Sequence, residues 1–274
     1  MTTLKTLLPQ YNATPDAERL LSFVLNKPIS FLRAHGEFEI DAENETKFLA
    51  LLHERAQGKP FAYITGEQPF WNLSLLVTPD VLIPRPETEL LVEKILAFGR
   101  GASVLELGTG SGAIALAIAK ERPEWTVVAV DNSIAALEVD RKNAVLNDIH
   151  NVTFSHSDWY DALGHQTFDI IVANPPYIAH HDPAVEKQVI TYEPHEALFS
   201  EEDGLCDLKL IIQNAPRYLN KNGALFVEHG YQQGEVVRAL FKTTGFNSIE
   251  TFHDFSGHER LTTGILNEVK PYCF

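Results

Sequence analysis

Apolar residues are spaced along this chain in two rhythms. In the second part, residues 103–107, 126–130, 152–155, 168–173 and 224–228 form short, mainly apolar runs. Runs of that length are typical of strands covered on both faces of a parallel sheet. Between them lie helical patterns over 113–122 (ended by Pro123), 133–146, 205–219 and 234–244. Two further strand-like runs, 248–252 and 261–266, finish the pattern. Alternation of this kind predicts an α/β domain built on a doubly wound sheet.

The beginning of the chain follows the helical rhythm. Thr14-Pro15 places a capping hydroxyl before a proline at a first helical position, and Leu20, Leu21, Val24 and Leu25 then recur on one face. A second helix is predicted from Asp41 to Gln57, with Phe48, Leu49 and Leu52 as its apolar stripe and Gly58 as its stop. From Phe61 to Pro86 the character changes. Gly66, Pro69, Pro79, Pro84 and Pro86 interrupt aromatic and β-branched residues, which predicts a short hairpin and linker. A helix over 87–98, closed by Gly99, follows. The expected organisation is a helical domain over 1–66, a hairpin and linker over 67–86, and the sheet domain over 87–274.

Composition narrows the setting. The 274 residues suffice for one large domain and a smaller companion, and 45% hydrophobic with 22% charged content is ordinary for a globular protein. No apolar run approaches the ~20 residues of a membrane span, so no membrane partner is expected. The first ten residues lack the pattern of a signal peptide. Cys206 and Cys273 make neither a disulfide framework nor a zinc pattern, and the histidines, His180-His181 among them, show no metal spacing. The expected location is a reducing cytoplasm, with no metal. Net charge of −15, with lysines and arginines scattered, argues against direct nucleic-acid binding and favours a protein or small-molecule partner.

Candidate chemistry first appears at Glu106-Leu107-Gly108-Thr109-Gly110-Ser111-Gly112, which ends a predicted strand and opens a helix. Glycines at alternating positions allow a tight turn and a close ligand approach. Asp131 ends the next strand, where a carboxylate can accept both hydroxyls of a ribose; it can equally cap the following helix. Together these residues suggest a cofactor containing adenosine. A dinucleotide site favours G-x-G-x-x-G facing a pyrophosphate. The spacing here is G-x-G-x-G beside the acidic Glu106, which suits the cationic S-adenosylmethionine better. Asp158-Trp159, just past the third strand, can flank an adenine, or the indole can simply pack the core.

Asn174-Pro175-Pro176-Tyr177 directly follows the fourth strand. The two prolines fix the backbone and remove two donors. The Asn174 side-chain oxygen and the Pro175 carbonyl are then two acceptors matched to a planar group bearing two N–H donors, and Tyr177 offers a flat face beside it. An amide nitrogen is a poor nucleophile, and accepting both its protons raises its electron density for in-line methyl transfer. The exocyclic amine of adenine (N6) or guanine (N2) presents a similar group, so a nucleic-acid substrate is the alternative. A nicotinamide oxidoreductase and a non-catalytic cofactor binder are readings from other classes. Arg85 and Glu89 either line a cleft or serve as a linker charge and a first-turn carboxylate.

Several further motifs accompany these residues. They are Tyr63-Ile64-Thr65-Gly66, Leu82-Ile83-Pro84-Arg85-Pro86-Glu87-Thr88-Glu89, Glu193-Pro194 with Ala197-Leu198, Glu228-His229-Gly230 with Gln233, and Asp254 with Gly257 and Arg260. With them the chain resembles the PrmC/HemK family of protein-(glutamine-N5) methyltransferases. The resemblance implies a Rossmann-like class I methyltransferase domain with a mostly parallel seven-stranded sheet and an antiparallel last strand. It also implies a small helical N-terminal domain for substrate recognition. The implied substrate is the glutamine of the Gly-Gly-Gln motif in class I peptide chain release factors, met by a monomer. Gly108, Thr109, Gly110, Ser111, Gly112, Asp131, Trp159 and Asn174 would contact S-adenosylmethionine. Asn174, Pro175, Pro176 and Tyr177 would hold the glutamine, with Asn174, Pro175 and Tyr177 catalytic. The family often has Asp where Glu106 stands.

Overall fold

The computed structural model describes residues 2–11 and 13–267; Cys273 lies outside them. The chain divides into two compact units, Met1–Glu67 with Glu186–Tyr192, and Gln68–Val185 with Glu193–Phe274.

The larger unit is built on one seven-stranded sheet. Its strands are β1 (Ser103–Leu107), β2 (Thr126–Asp131), β3 (Val152–His156), β4 (Phe168–Ala173), β5 (Leu219–Glu228), β6 (Asn247–His253) and β7 (Glu259–Leu266). They lie in the order β6-β7-β5-β4-β1-β2-β3. Neighbours from β5 to β3 run parallel, while β7 runs antiparallel to both β5 and β6. The chain enters at β1, builds outward through β2 and β3, then returns to the other side of β1 with β4. Such a reversal opens a crevice at the carboxyl ends of the two strands. Leu107 pairs with Ala173, so Gly108 and Asn174 leave the sheet side by side.

Apolar burial explains the strands. Val104, Leu105, Leu107, Ile170, Ile171, Val172 and Ala173 are fully buried, as central strands covered on both faces require. The helix Ala113–Glu121 is buried at each of its first seven positions, so its small alanines press close against the sheet. The pattern expected over 205–219 resolves into the helix Cys206–Asn214 and a 3-10 turn Ala215–Arg217, and Leu219 already begins β5. Polar Asn220, Lys221 and Asn222 disguised the start of that strand. The helix expected over 87–98 opens as a 3-10 turn Pro86–Thr88 before Glu89–Phe98.

Within the smaller unit, helices Ala17–Leu25 and Ala42–Ala56 share a core of Leu20, Leu21, Phe48 and Leu52. Asp41 caps the second, accepting from the Asn44 amide at 2.8 Å. Three details depart from the sequence reading. The cap of the first helix is Asp16, in the left-handed region at φ 62°, and not Thr14. Its carboxylate makes no cap hydrogen bond and instead accepts from the neighbouring Arg19 (2.8 Å) and from the distant Arg55 (2.9 Å). Leu49 is 36% exposed, outside the buried stripe. A short helix, Phe61–Thr65, stands where a hairpin was expected to begin, and the hairpin itself pairs Glu67–Phe70 with Leu73–Leu76. The helix Lys187–Tyr192 belongs to this unit through the Tyr192 hydroxyl, which donates to the Gln57 carbonyl at 3.2 Å.

Candidate active site

The crevice between β1 and β4 opens into a cavity of about 330 Å³ within the larger unit. That volume falls in the range of small-molecule sites. Gly108, Thr109, Gly110 and Ser111 form one wall, Asp131 and Trp159 another, and Asn174 with Pro176 faces them. Gly112, Pro175 and Tyr177 stand outside the lining.

Backbone geometry explains the glycines. Gly108 sits at φ 73°, and a Cβ there would meet the Trp159 ring at 3.4 Å. Gly110, at φ 56°, aims its amide at Asp131 Oδ2 (2.8 Å). Below the loop, Glu106 Oε2 accepts from the Thr109 hydroxyl (2.9 Å) and the Ala115 amide (3.0 Å), fastening the turn to the helix after it. Burial pushes the Glu106 carboxyl up to about 8, against those two hydrogen bonds and with the Asp140 and Asp131 charges adding to the rise. Glu106 therefore holds the loop together in addition to edging the cavity. Asn143 braces the same loop, donating to the Ser111 carbonyl at 2.9 Å. No local pattern marks it, because the helix Ile134–Leu146 supplies it from elsewhere in the chain.

The helix-cap reading of Asp131 gives way to Ser133, whose hydroxyl accepts from the Ala136 amide at 3.2 Å. Asp131 Oδ1 instead accepts from the Ser133 amide at 2.9 Å. Its carboxylate is 9% exposed, on the cavity wall. Each oxygen keeps a lone pair beyond its one amide partner. Trp159 combines both readings made of it: the indole packs against the core cluster and also lines the cavity. A glycine-lined turn, a carboxylate at the next strand end and an aromatic wall together fit a nucleoside.

Opposite, the Asn174 amide donates to Thr88 Oγ1 at 3.3 Å. The Tyr177 hydroxyl turns away from the cavity and donates to Glu228 Oε1 at 3.0 Å. Burial, then the neighbouring carboxylate, raises its ionisation above the ordinary phenol value, so Tyr177 is a neutral donor. Gln233 clamps the backbone here, its side chain donating to the carbonyls of Tyr177 (3.0 Å) and Gly204 (3.2 Å) while accepting from the Gly230 amide (2.8 Å). Arg85 pairs with the buried Glu193, which also accepts from the Ile83 amide at 3.1 Å. Arg85 is thus a structural ion pair. Glu89 is the first-turn carboxylate of its helix and accepts from the Trp71 amide at 2.7 Å.

A seven-stranded sheet of this order, with β7 antiparallel between β5 and β6, is that of an S-adenosylmethionine-dependent methyltransferase. The family described as Methyltransferase small domain matches residues 86–247, and a PrmC N-terminal domain matches residues 5–66. The chain belongs to the release factor glutamine methyltransferase family. It is 45% identical to the Salmonella typhimurium member over 91% of both chains, and 42% identical to the Escherichia coli member over the same shares. Among solved structures, a Pyrococcus furiosus methyltransferase shares the fold with a TM-score of 0.55 at 19% identity, covering 84% of this chain and all of that one. A T. thermophilus 16S rRNA N2 methyltransferase in complex with AdoMet and guanosine does so at 0.52 and 22% identity, over 73% of this chain and 49% of that one.

Proposed function

We propose that this chain transfers the methyl group of S-adenosylmethionine to the side-chain amide nitrogen of the glutamine in the Gly-Gly-Gln motif of class I release factors. Relatives named release factor glutamine methyltransferases support a release-factor glutamine as the substrate. The observation that carries the chemistry is the register of Leu107 with Ala173, which sets the cofactor loop and Asn174 against one cavity.

Gly108, Thr109, Gly110, Ser111 and Gly112 shape the turn around the cofactor, Asp131 accepts its ribose hydroxyls, and Trp159 covers it. When bound, the sulfonium supplies an electrophilic methyl. Asn174 Oδ1 and the Pro175 carbonyl accept the two amide protons of the substrate, orienting its nitrogen along the methyl–sulfur axis. Pro176 walls the pocket and Tyr177 fixes the turn from beneath. The substrate nitrogen would gain an N–C bond in place of the donor's S–C bond and lose one proton to water, with a neutral thioether as the other product. We place this reaction in the cytoplasm, with the chain acting as a monomer, residues 1–66 contributing to substrate recognition, and no nucleic acid bound directly.

Incubation of the purified protein with labelled cofactor, in parallel with a release factor, RNA and DNA, tests the proposal. Mass spectrometry is expected to find one added methyl on the Gly-Gly-Gln glutamine and none on either nucleic acid. Asn174→Ala should lower the chemical step by about 10²-fold or more. Methylation of a nucleic-acid base with the release factor untouched would reverse the assignment of substrate.

A further inference from the structure

We infer that Thr88 and Glu228 are positioning residues for Asn174, the buried carboxylate taking the Thr88 hydroxyl proton and so fixing which edge of the Asn174 carboxamide faces the cavity. This rests on the role given to Asn174 above.

The ambiguity to be resolved is chemical. A threonine hydroxyl has one proton and two lone pairs, so it can accept from an amide NH₂ or donate to an amide oxygen. In the first arrangement Asn174 turns its NH₂ to Thr88 and its oxygen to the cavity. In the second the carboxamide is turned over and its NH₂ faces the cavity. A substrate amide also brings N–H donors there, and two donors make no hydrogen bond. Only the first arrangement serves the reaction, and it is the one present, with Asn174 Nδ2 donating to Thr88 Oγ1 at 3.3 Å.

Glu228 selects it. Val227 pairs with Ala173, so Glu228, the last residue of β5, stands beside Asn174. Thr88 is 4% exposed and Glu228 only 1%. Glu228 Oε1 receives the Tyr177 hydroxyl, whereas Oε2 is buried and makes no hydrogen bond among the described residues. Burial pushes the Glu228 carboxyl up to about 7 and the nearby Thr88 hydroxyl opposes that rise, so above that pH the carboxylate is an acceptor only. A buried acceptor lacking a donor is costly, and a slight rotation of Thr88 supplies one. With that proton committed, Thr88 has only lone pairs left for Asn174. One buried carboxylate thereby holds both ends of Asn174-Pro175-Pro176-Tyr177.

The test is a double-mutant cycle on release-factor methylation, using Thr88→Val, Asn174→Ala and their combination, with Thr88→Ser as the conservative variant. Thr88→Val should lower kcat about tenfold, the effect of one lost hydrogen bond, with the Kd for S-adenosylhomocysteine and the Tm near wild type. Thr88→Ser should restore most of kcat. The double variant should be no slower than Asn174→Ala alone, because Thr88 acts through that residue. A wild-type kcat for Thr88→Val beside a slowed Asn174→Ala overturns the inference and leaves the proposed function standing. So does an effect of Thr88→Val that persists undiminished without Asn174. A wild-type rate for Asn174→Ala overturns both. Should Thr88→Val not fold, Glu228→Gln, whose amide loses its exclusive claim on the hydroxyl proton, takes its place in the same cycle.

Discussion

At the scale of single residues, buried carboxylates dominate the neighbourhood of the cofactor loop. Asp140 is fully buried and neither of its side-chain oxygens has a hydrogen-bond partner among the described residues. Burial pushes its carboxyl up to about 8 from an ordinary 3.8. Between those limits the folded protein keeps a proton that the unfolded chain has released. Stability from this group therefore falls as pH rises through that window and levels off above about 8. Asp140→Ala should raise stability at pH 8 by about 1–3 kcal/mol, with a smaller gain at pH 5, as read by urea unfolding at both pH values. An unchanged midpoint at pH 8 would show that Asp140 is satisfied in solution. Gly108→Ala combines a left-handed φ of 73° with a contact on Trp159. Backbone strain should lower the stability of the larger unit by about 1–2 kcal/mol, as read by denaturant unfolding.

At the scale of elements, the site depends on segments tied down by distant charges. Glu193 is 4% exposed and gathers Arg85 and the Ile83 amide, holding the proline-rich stretch whose Leu82 and Pro84 edge the cavity. Arg85→Met leaves that carboxylate without its cation. Breaking a fully buried pair costs about 3–5 kcal/mol. Because the Arg85 side chain is 34% exposed, the expected loss is about 2 kcal/mol. Denaturant unfolding measures it, and a loss below about 0.5 kcal/mol would show the pair to be solvated.

At the scale of the whole molecule, the two units carry separate cores. Trp71, Trp125 and Trp159 all lie in the larger one. Tryptophan fluorescence therefore follows that unit alone, while far-ultraviolet circular dichroism follows both. S-adenosylhomocysteine at a hundred times its Kd should stabilise the fluorescence-monitored transition by about 2.7 kcal/mol. The small unit, holding none of the cavity, should show its own ligand-independent transition by circular dichroism. Full coincidence of the two signals at every ligand concentration would mean that the units unfold as one.

The sequence by itself determined what short-range patterns encode. Strands β1 to β4 announce themselves as apolar runs, and the glycine loop, Asp131 and Asn174 follow from their places at strand ends. Those signals are local because burial on both faces and left-handed turns are properties of neighbouring residues. Tertiary structure alone decided the rest. Asp16 stands at the cap position with Arg55, far along the chain, on its carboxylate, Asn143 reached the loop from a separate helix, and Tyr177 turned its hydroxyl away from the cavity to meet Glu228. Glu228 came beside Asn174 only through the sheet register, and Thr88 reached Asn174 from a separate turn. A hydrogen-bond partner drawn from a distant element leaves no periodicity in the sequence, so no pattern along the chain can reveal it.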